Sequence, residues 1–280
     1  MTTHLPLGAI VVGVDGHPYG MYAAAWAARQ ADLEQRPLVV VHGSGTRPHL
    51  RTSDQDLVDR VAGQRHADHA MHRALEVAPR IRVQTLVRAA DPADLLLELG
   101  ETAHLLVVGS RGLGRIAGLL QGSVSVAVST SAPCPVVVVR EEAPRPPRIL
   151  VGSDGTEASS AAVEFGFAQA SLRGVPLTVL HAVSILEPRA DDWVSAEAAA
   201  PAWLSESVAG MSEKYIDVDV ELKVAEGPTM VELTEASLQA DLLVLGVHHH
   251  RGPASLSLTS VRRALLDHGH CSVAVVHGTR

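Results

Sequence analysis

The sequence predicts an α/β protein with two tandem, doubly wound domains, each with a five-stranded parallel sheet flanked by helices. Two observations carry this prediction. The chain of 280 residues repeats itself at about half its length, and each half alternates short Val/Ile/Leu-rich runs with longer helical stretches. Runs that are apolar on both faces are typical of buried parallel strands. A chain of this length also favours two domains.

Four pairs of matching segments, in the same order, define the repeat. The first two pairs are offset by 139 residues and the last two by 137. They are IVVGVDGHP (10–18) with ILVGSDGTE (149–157), PLVVVHG (37–43) with PLTVLHA (176–182), HLLVVGSRG (104–112) with DLLVLGVHH (241–249), and SAPCPVVVV (131–139) with HGHCSVAVV (268–276). The charged, proline-rich segment EEAPRPPR joins the copies, so we expect domains at 1–144 and 145–280.

The elements of the first copy follow from its pattern of apolar runs. The strand-like runs are 9–14, 38–42, 81–87, 104–109 and 136–139, and the helices that we assign between them are 20–35, 92–103 and 122–130. Asp91 and Pro92 fit the cap and first turn of the second of these helices. Right-handed crossovers then give an open, Rossmann-like sheet, in which ligands bind beyond the carboxyl ends of the strands.

Composition narrows the class of protein. The net charge of −8 and the pI near 6.0 argue against a nucleic-acid partner, which would need a basic stripe. Two cysteines make no disulfide framework, and no apolar run is long enough to span a membrane. The first residues lack a basic segment before an apolar run, so the sequence predicts a cytoplasmic protein without a membrane partner.

Two loops of the first copy have unusual compositions. One is Gly13-Val14-Asp15-Gly16, and the other runs from Gly109 to Ser123 with glycines spaced G-x2-G-x9-G-S. Glycines after a strand allow positive φ and close approach of the backbone to a ligand. The helix that starts after Gly122 has free N–H groups that favour a phosphate, and Arg111 and Arg115 are the nearest cations.

This combination resembles the ATP-binding class of universal stress proteins, and the duplication resembles the two-domain members of that family. The resemblance implies ATP, with or without Mg²⁺, with its base near Gly43 and its adenosine end along Gly13 and Asp15. The phosphates would lie along the glycine loop. The candidate nucleotide residues are Gly13, Asp15, Gly43, Gly109, Arg111, Gly112, Gly114, Arg115, Gly122 and Ser123.

The second copy departs from the pattern at its phosphate loop. His249 stands in place of Gly112, Thr259 in place of Gly122, and Pro253 falls inside the loop. A side chain at either glycine position would clash if φ were positive or if a phosphate came close. We therefore expect a weaker second site, whose candidate residues are Gly152, Asp154, Gly246 and Ser260.

Histidines and cysteines offer other sites, which we weigh against structural roles. Consecutive residues rarely point at one ion, so His248–His250 predict no metal site. His42 and His181 end equivalent strands and are expected to bond to the backbone. Cys134 and Cys271 precede the last strand of each copy, as small buried residues do.

Two classes of function remain open. The first is a regulatory protein, whose conformation or choice of protein partner depends on ATP, acting in stress or dormancy as the resemblance implies. The second is a slow ATPase or phosphotransferase. No GxxxxGK[ST] motif and no kinase loop occur, and the first copy contains no lysine, so we assign no catalytic residue and favour binding. A flavin or nicotinamide domain would need Gly-x-Gly-x-x-Gly after the first strand, which is missing.

The last strand of each copy suggests how copies associate. Residues 136–139 and 273–276 are strongly apolar and would form an edge if the sheet order is that of the family. An uncovered apolar edge promotes aggregation, and pairing it with its duplicate removes the exposure. We therefore expect the two domains to pair through these strands, and we expect the chain to form a homodimer.

Overall fold

The computed structural model describes residues 5–45, 53–110, 122–141, 146–183, 190–247 and 253–278. The chain divides into two compact units, Met1–Glu142 and Ala143–Arg280. Each unit is an α/β layer structure with one parallel sheet, as the sequence predicts.

The first unit alternates strands and helices along the chain. Its described elements are β1 (Ile10–Gly13), α1 (Pro18–Leu33), β2 (Leu38–Gly43), α2 (Ser53–Val77), β3 (Val83–Arg88), α3 (Pro92–Gly100), β4 (Leu105–Gly109), α4 (Ser123–Ser131) and β5 (Val136–Val139). The sheet order is β3-β2-β1-β4-β5, and every pair is parallel. Ile10 pairs with Leu38 on one side and with Leu105 on the other, so β1 lies at the centre.

The second unit repeats this order. Its described elements are β6 (Ile149–Gly152), α5 (Glu157–Arg173), β7 (Leu177–Val183), α6 (Ala190–Lys214), β8 (Val220–Glu226), α7 (Thr229–Ala236), a 3₁₀ turn (Ser237–Gln239), β9 (Leu242–Val247), α8 (Pro253–His268) and β10 (Ser272–His277). The sheet order is β10-β9-β6-β7-β8, again with parallel pairs. The duplication seen in the sequence is therefore a duplication of the fold.

Helix α3 begins where the sequence predicts. Asp91 is its N-cap, and the carboxylate accepts hydrogen bonds from the backbone N–H groups of Ala93 and Asp94, at 2.8 and 3.2 Å. Pro92 occupies the first turn, where its missing N–H costs nothing. The cap holds the start of α3 at the same end of the sheet as the carboxyl ends of the strands.

Helix α2 is the element that the sequence analysis does not assign. Its buried face is made of alanines, and Ala67, Ala70 and Ala74 are all fully buried. Large apolar residues lie on the outside instead, with Leu57 and Val58 more than half exposed. Alanine gives a weak hydrophobic period, so a helix buried through small residues is hard to detect by periodicity.

An acidic and a basic side chain pair the end of the first helix with the start of a central strand in both units, and the two residue types exchange places between the units. In the first unit the Glu34 carboxylate lies 2.9 Å from Nε2 of His104. In the second unit the equivalent positions hold Arg173 and Asp241, whose charged atoms lie 3.6 Å apart. The position therefore requires complementary partners, and either arrangement of charge fits the fold.

Candidate functional site

A cavity of about 490 Å³ opens at the carboxyl ends of β1, β2 and β4. The strand order reverses between β1 and β4, which is where open α/β sheets bind ligands. Six of the residues selected from the sequence line this cavity: Gly13, Asp15, Gly43, Gly109, Gly122 and Ser123. The other four, Arg111, Gly112, Gly114 and Arg115, lie outside the described residues.

Close packing of the backbone explains the glycines that end β2 and β4. A Cβ on Gly43 would lie 2.9 Å from Cα of Pro92, and a Cβ on Gly109 would lie 2.8 Å from the carbonyl oxygen of Tyr19. Neither glycine has positive φ, which was one of the two reasons that the sequence suggested. These glycines therefore let the starts of α1 and α3 approach the strand ends. This close approach sets the position of the helix starts beside the cavity.

Helix α4 points its first turn at the cavity. Its N-cap is Gly122, with φ −74° and ψ 143°, and no side chain caps the helix. Residues 122–125 line the cavity, so the N–H groups of the first turn and the positive end of the helix dipole face the space where a ligand would lie. Because φ at Gly122 is negative, the steric objection to Thr259 that depended on positive φ does not apply here.

Asp15 has both a structural contact and a place in the cavity. Its carboxylate accepts a hydrogen bond from the backbone N–H of His17 at 3.0 Å, which shapes the turn before α1. Asp154 accepts the equivalent bond from Thr156 at 3.0 Å in the second unit. The turn explains why an aspartate occurs in both copies, and it also fixes the carboxylate at the cavity wall.

His66 lines the cavity and was not selected from the sequence. It lies on α2, and its ring packs so closely on Gly16 that a Cβ there would overlap the imidazole. Burial, followed by the nearby His42, lowers the pKa of His66, against the opposing charge of Asp15. These contributions favour the neutral form of the imidazole. No sequence signal could find it, because the helix that carries it was itself not assigned.

His42 and His181 bond to the backbone, as predicted. Nδ1 of each donates to a carbonyl oxygen at 2.8 Å, that of Val14 in the first unit and that of Ser153 in the second. The bond fixes each imidazole at the end of its strand, beside the cavity of its own unit.

The second unit has a much smaller cavity at the equivalent place, about 70 Å³. The predicted residues Gly152, Asp154 and Gly246 line it. Two large side chains, one lining it and one packed on a lining residue, distinguish it from the first. Arg262 lines this cavity and is only 8% exposed. The indole of Trp203 packs edge-on against His181, with ring centroids 4.6 Å apart, where the first unit has His66 against His42.

The helix that follows the second phosphate loop is also longer. Helix α8 begins at Pro253, whereas Ser260 is the residue that aligns with Ser123 at the start of α4. The aligned helices end together, at Ser131 and His268. The backbone N–H of Ser260 therefore lies inside a helix, where an N–H is paired with the carbonyl four residues before it. Helix length is therefore one difference between the two aligned helix starts, in addition to Thr259 in place of Gly122.

The remaining candidates carry no site within the described part of the chain. There, no group of three or more His, Cys, Asp or Glu side chains is placed to hold a metal ion, and His248–His250 fall outside it. Both cysteines are buried, and burial raises the pKa of Cys134 to about 12, so this thiol is inert. None of the helices that the structure describes is long and apolar enough to cross a membrane.

Comparison with known proteins connects this geometry to one family. The model of the universal stress protein family matches residues 7–140 and again residues 147–277. A universal stress protein of Mycobacterium tuberculosis is 34% identical over 272 residues, which is 90% of each chain. One from Mycolicibacterium smegmatis is 32% identical over 288 residues, covering 95% of this chain and 96% of its own. A universal stress protein structure from Archaeoglobus fulgidus, 15% identical, superposes with a TM-score of 0.73 over 96% of both chains and shares the fold.

Proposed function

The chain belongs to the universal stress protein family and carries two of its domains in tandem, and on that premise we propose that it is an ATP-binding regulatory protein. The observation that carries the proposal is the first-unit cavity. Its volume, about 490 Å³, lies within the ~300–1,000 Å³ of ligand pockets, and one wall is the open N-terminus of a helix. Such a terminus binds phosphate through its N–H groups and its dipole.

The walls of the cavity suggest an orientation for the nucleotide. The phosphates would lie at Gly122 and Ser123, on the first turn of α4. The adenosine end would then extend toward Asp15 and the end of β2 at Gly43, which line the same cavity. Arg111 and Arg115, which the sequence indicates as the nearest cations, would add positive charge for the phosphates. Mg²⁺ would accompany the phosphates rather than occupy a site built by the protein alone.

Regulation, rather than turnover, is the function that we assign to this site. Two cavity-lining groups that could accept a proton, Asp15 and His66, lie at the end where the adenosine is placed, with Asp15 bonded to the N–H of His17 and His66 packed against Gly16. The first unit also has no lysine to stabilise a transferred phosphoryl group. Bound nucleotide would instead set the conformation of the first unit and its affinity for a protein partner, in a stress or dormancy response. Any hydrolysis would be slow.

A charge placed at the start of α4 tests the phosphate position. Ser123 is exposed at this end of the helix, so Ser123→Asp adds a negative charge that favours the helix dipole but repels a phosphate. We expect calorimetry to show ATP binding at least ~10-fold weaker, which corresponds to about 1.4 kcal/mol, while adenosine binding changes little. Unchanged ATP affinity would contradict the placement.

Two matched variants control for nonspecific effects of charge. Ser131→Asp puts the same charge at the exposed far end of α4, and Ser260→Asp puts it at the aligned position of the second unit. Both should bind ATP as the unmodified chain does. If the purified chain binds no adenine nucleotide at all, and none co-purifies with it by mass spectrometry, the proposed function is wrong.

A further inference from the structure

Arg262 occupies the same place in the second unit as Ser125 does in the first. Helices α4 and α8 end at aligned residues, and Val128 and Leu265, three residues after the two positions, are both fully buried. Ser125 is 2% exposed and Arg262 is 8% exposed. The two side chains therefore point to the same side of equivalent helices, each into the cavity of its own unit.

The exchange removes the space that the first unit keeps open. The Ser125 hydroxyl folds back on its own helix and donates to the carbonyl of Gly122 at 2.8 Å, which leaves a cavity of about 490 Å³. With arginine at this position the cavity is about 70 Å³, far below the ~300 Å³ at which ligand pockets begin.

Trp203, where the first unit has His66, adds a second large side chain beside the second cavity through its packing on His181. Other differences among the aligned residues that line both cavities are smaller. Gly20 is replaced by Ser159, and Gly43 by Ala182, among the aligned residues that line both. Each of these changes adds one or two heavy atoms, whereas a guanidinium on a three-carbon stem fills most of the space that a ribose or a base would need. Of the aligned lining pairs that the structure describes, Ser125 and Arg262 differ most in size.

The charge of Arg262 does not reverse this conclusion. An arginine attracts phosphate when it reaches a bound ligand from the side. Arg262 is instead buried among the residues that a nucleotide would have to displace, and Asp154 lines the same cavity. Helix α8 also begins before the position that aligns with the start of α4. The N–H groups that would hold the phosphate are therefore hydrogen-bonded within the helix.

We propose that Arg262 closes the second unit to nucleotide, so that the tandem chain binds one nucleotide and binds it in the first unit. The proposal rests on the function assigned to the first cavity. It makes the residue at this position of the fourth helix of each unit a determinant of the space for the nucleoside: serine leaves the cavity open and arginine fills it.

Stoichiometry and site mapping on the full chain test this proposal. Titration calorimetry with ATP should give one site per chain, and photolabelling with 8-azido-ATP should mark peptides of the first unit only. Two sites of comparable affinity, or label in the second unit of the unmodified chain, would overturn the inference while leaving ATP binding itself established. Loss of all binding would instead count against the proposed function.

Reciprocal substitutions examine the residue itself. Ser125→Arg should abolish measurable ATP binding, and Ser125→Ala, which keeps the space, should not. Arg262→Ser should bring label from 8-azidoadenosine, which needs no phosphate site, into the second unit; if no label appears there, Arg262 is not what closes the site. Circular dichroism and thermal melting identify a variant that fails to fold, and in that case the stoichiometry of the unmodified chain and the labelling of Arg262→Ser still decide the question.

Discussion

Gly109 illustrates how a single residue at a strand end shapes the site through its close packing. An added Cβ would lie 2.8 Å from a backbone carbonyl oxygen, that of Tyr19, which cannot rotate away as a side chain would. The start of α1 would have to move, and that start forms part of the wall around Asp15. Space, rather than backbone handedness, is what the residue provides.

Gly109→Ala should therefore destabilise the chain and weaken ATP binding together. We expect a loss of about 1–3 kcal/mol in the free energy of unfolding of the first unit, the usual scale for a steric fault in a packed region. Gly210→Ala is the control, because Gly210 lies exposed in α6 with open space around the position of a Cβ. It should stabilise α6 by up to ~1 kcal/mol and leave ATP binding unchanged. Equal melting temperatures for the two variants would contradict the steric argument.

The Glu34 cluster predicts a pH dependence of stability. Burial raises the pKa of Glu34, but hydrogen bonds from His104 and Gln30 together lower it by more than burial raises it. The net shift of the pKa is therefore downward. A carboxyl whose folded pKa is depressed contributes stability above its unfolded pKa of about 4.3, and that contribution is lost as the pH falls through the folded value.

Glu34→Gln should accordingly cost about 1–3 kcal/mol of unfolding free energy at pH 7, where the carboxylate accepts charge-assisted bonds. The difference from the unmodified chain should shrink as the pH falls below ~4. Urea denaturation at pH 7 and at pH 3.5 measures both values. A difference that stays constant over this range would show that the charge of Glu34 does not matter.

At the scale of elements, the decisive contrast is between α4 and α8. The N–H groups of the first turn of α4 face a cavity, whereas those at the aligned positions of α8 lie inside a helix that began at Pro253. A ligand can protect only the N–H groups of α4 from exchange with solvent, because those of α8 are already hydrogen-bonded within the helix.

Hydrogen exchange should therefore separate the two helices. On addition of saturating ATP, we expect the amides of Ser123, Val124 and Ser125 to exchange at least ~10-fold more slowly, which corresponds to about 1.4 kcal/mol of added protection. The amides of Ser260, Val261 and Arg262 should not change. Mass spectrometry of peptides from the two helices gives both results in one experiment, and protection in α8 alone would reverse the assignment of the open site.

For the whole molecule, the last strand of each sheet carries a prediction that comes from the sequence. Strands β5 and β10 are strongly apolar, and each is the last strand of its own sheet order. A strand of this kind is expected to pair with its duplicate. Val138→Asp should lower solubility and disrupt that association, whereas Val58→Asp, on the exposed face of α2, should not. Small-angle scattering is the direct measurement: two independently tumbling domains in the unmodified chain would refute the pairing.

The sequence by itself determined everything that depends on local pattern. The repeat is found by comparing segments of the sequence. The buried parallel strands and the Asp91 cap follow from neighbouring residues, because strand and cap preferences act over a few positions. The same segments carried the family resemblance, and Asp15 and the glycines of the first cavity were selected on that ground. The sequence did not indicate helix α2, or His66 on it, because a buried face of alanines gives a weak hydrophobic period.

The sequence predicts a weaker second site from its loop, but only the tertiary structure showed that the second cavity is small. Nothing in the residues around Arg262 in the sequence indicates its role. Its role follows from its burial in a cavity that Asp154, some hundred residues earlier in the chain, also lines. The glycine at 109 is likewise explained by the carbonyl of Tyr19, which the sequence places 90 positions earlier. Close packing is non-local, since the volume left for a ligand is what remains after all the surrounding side chains have been placed.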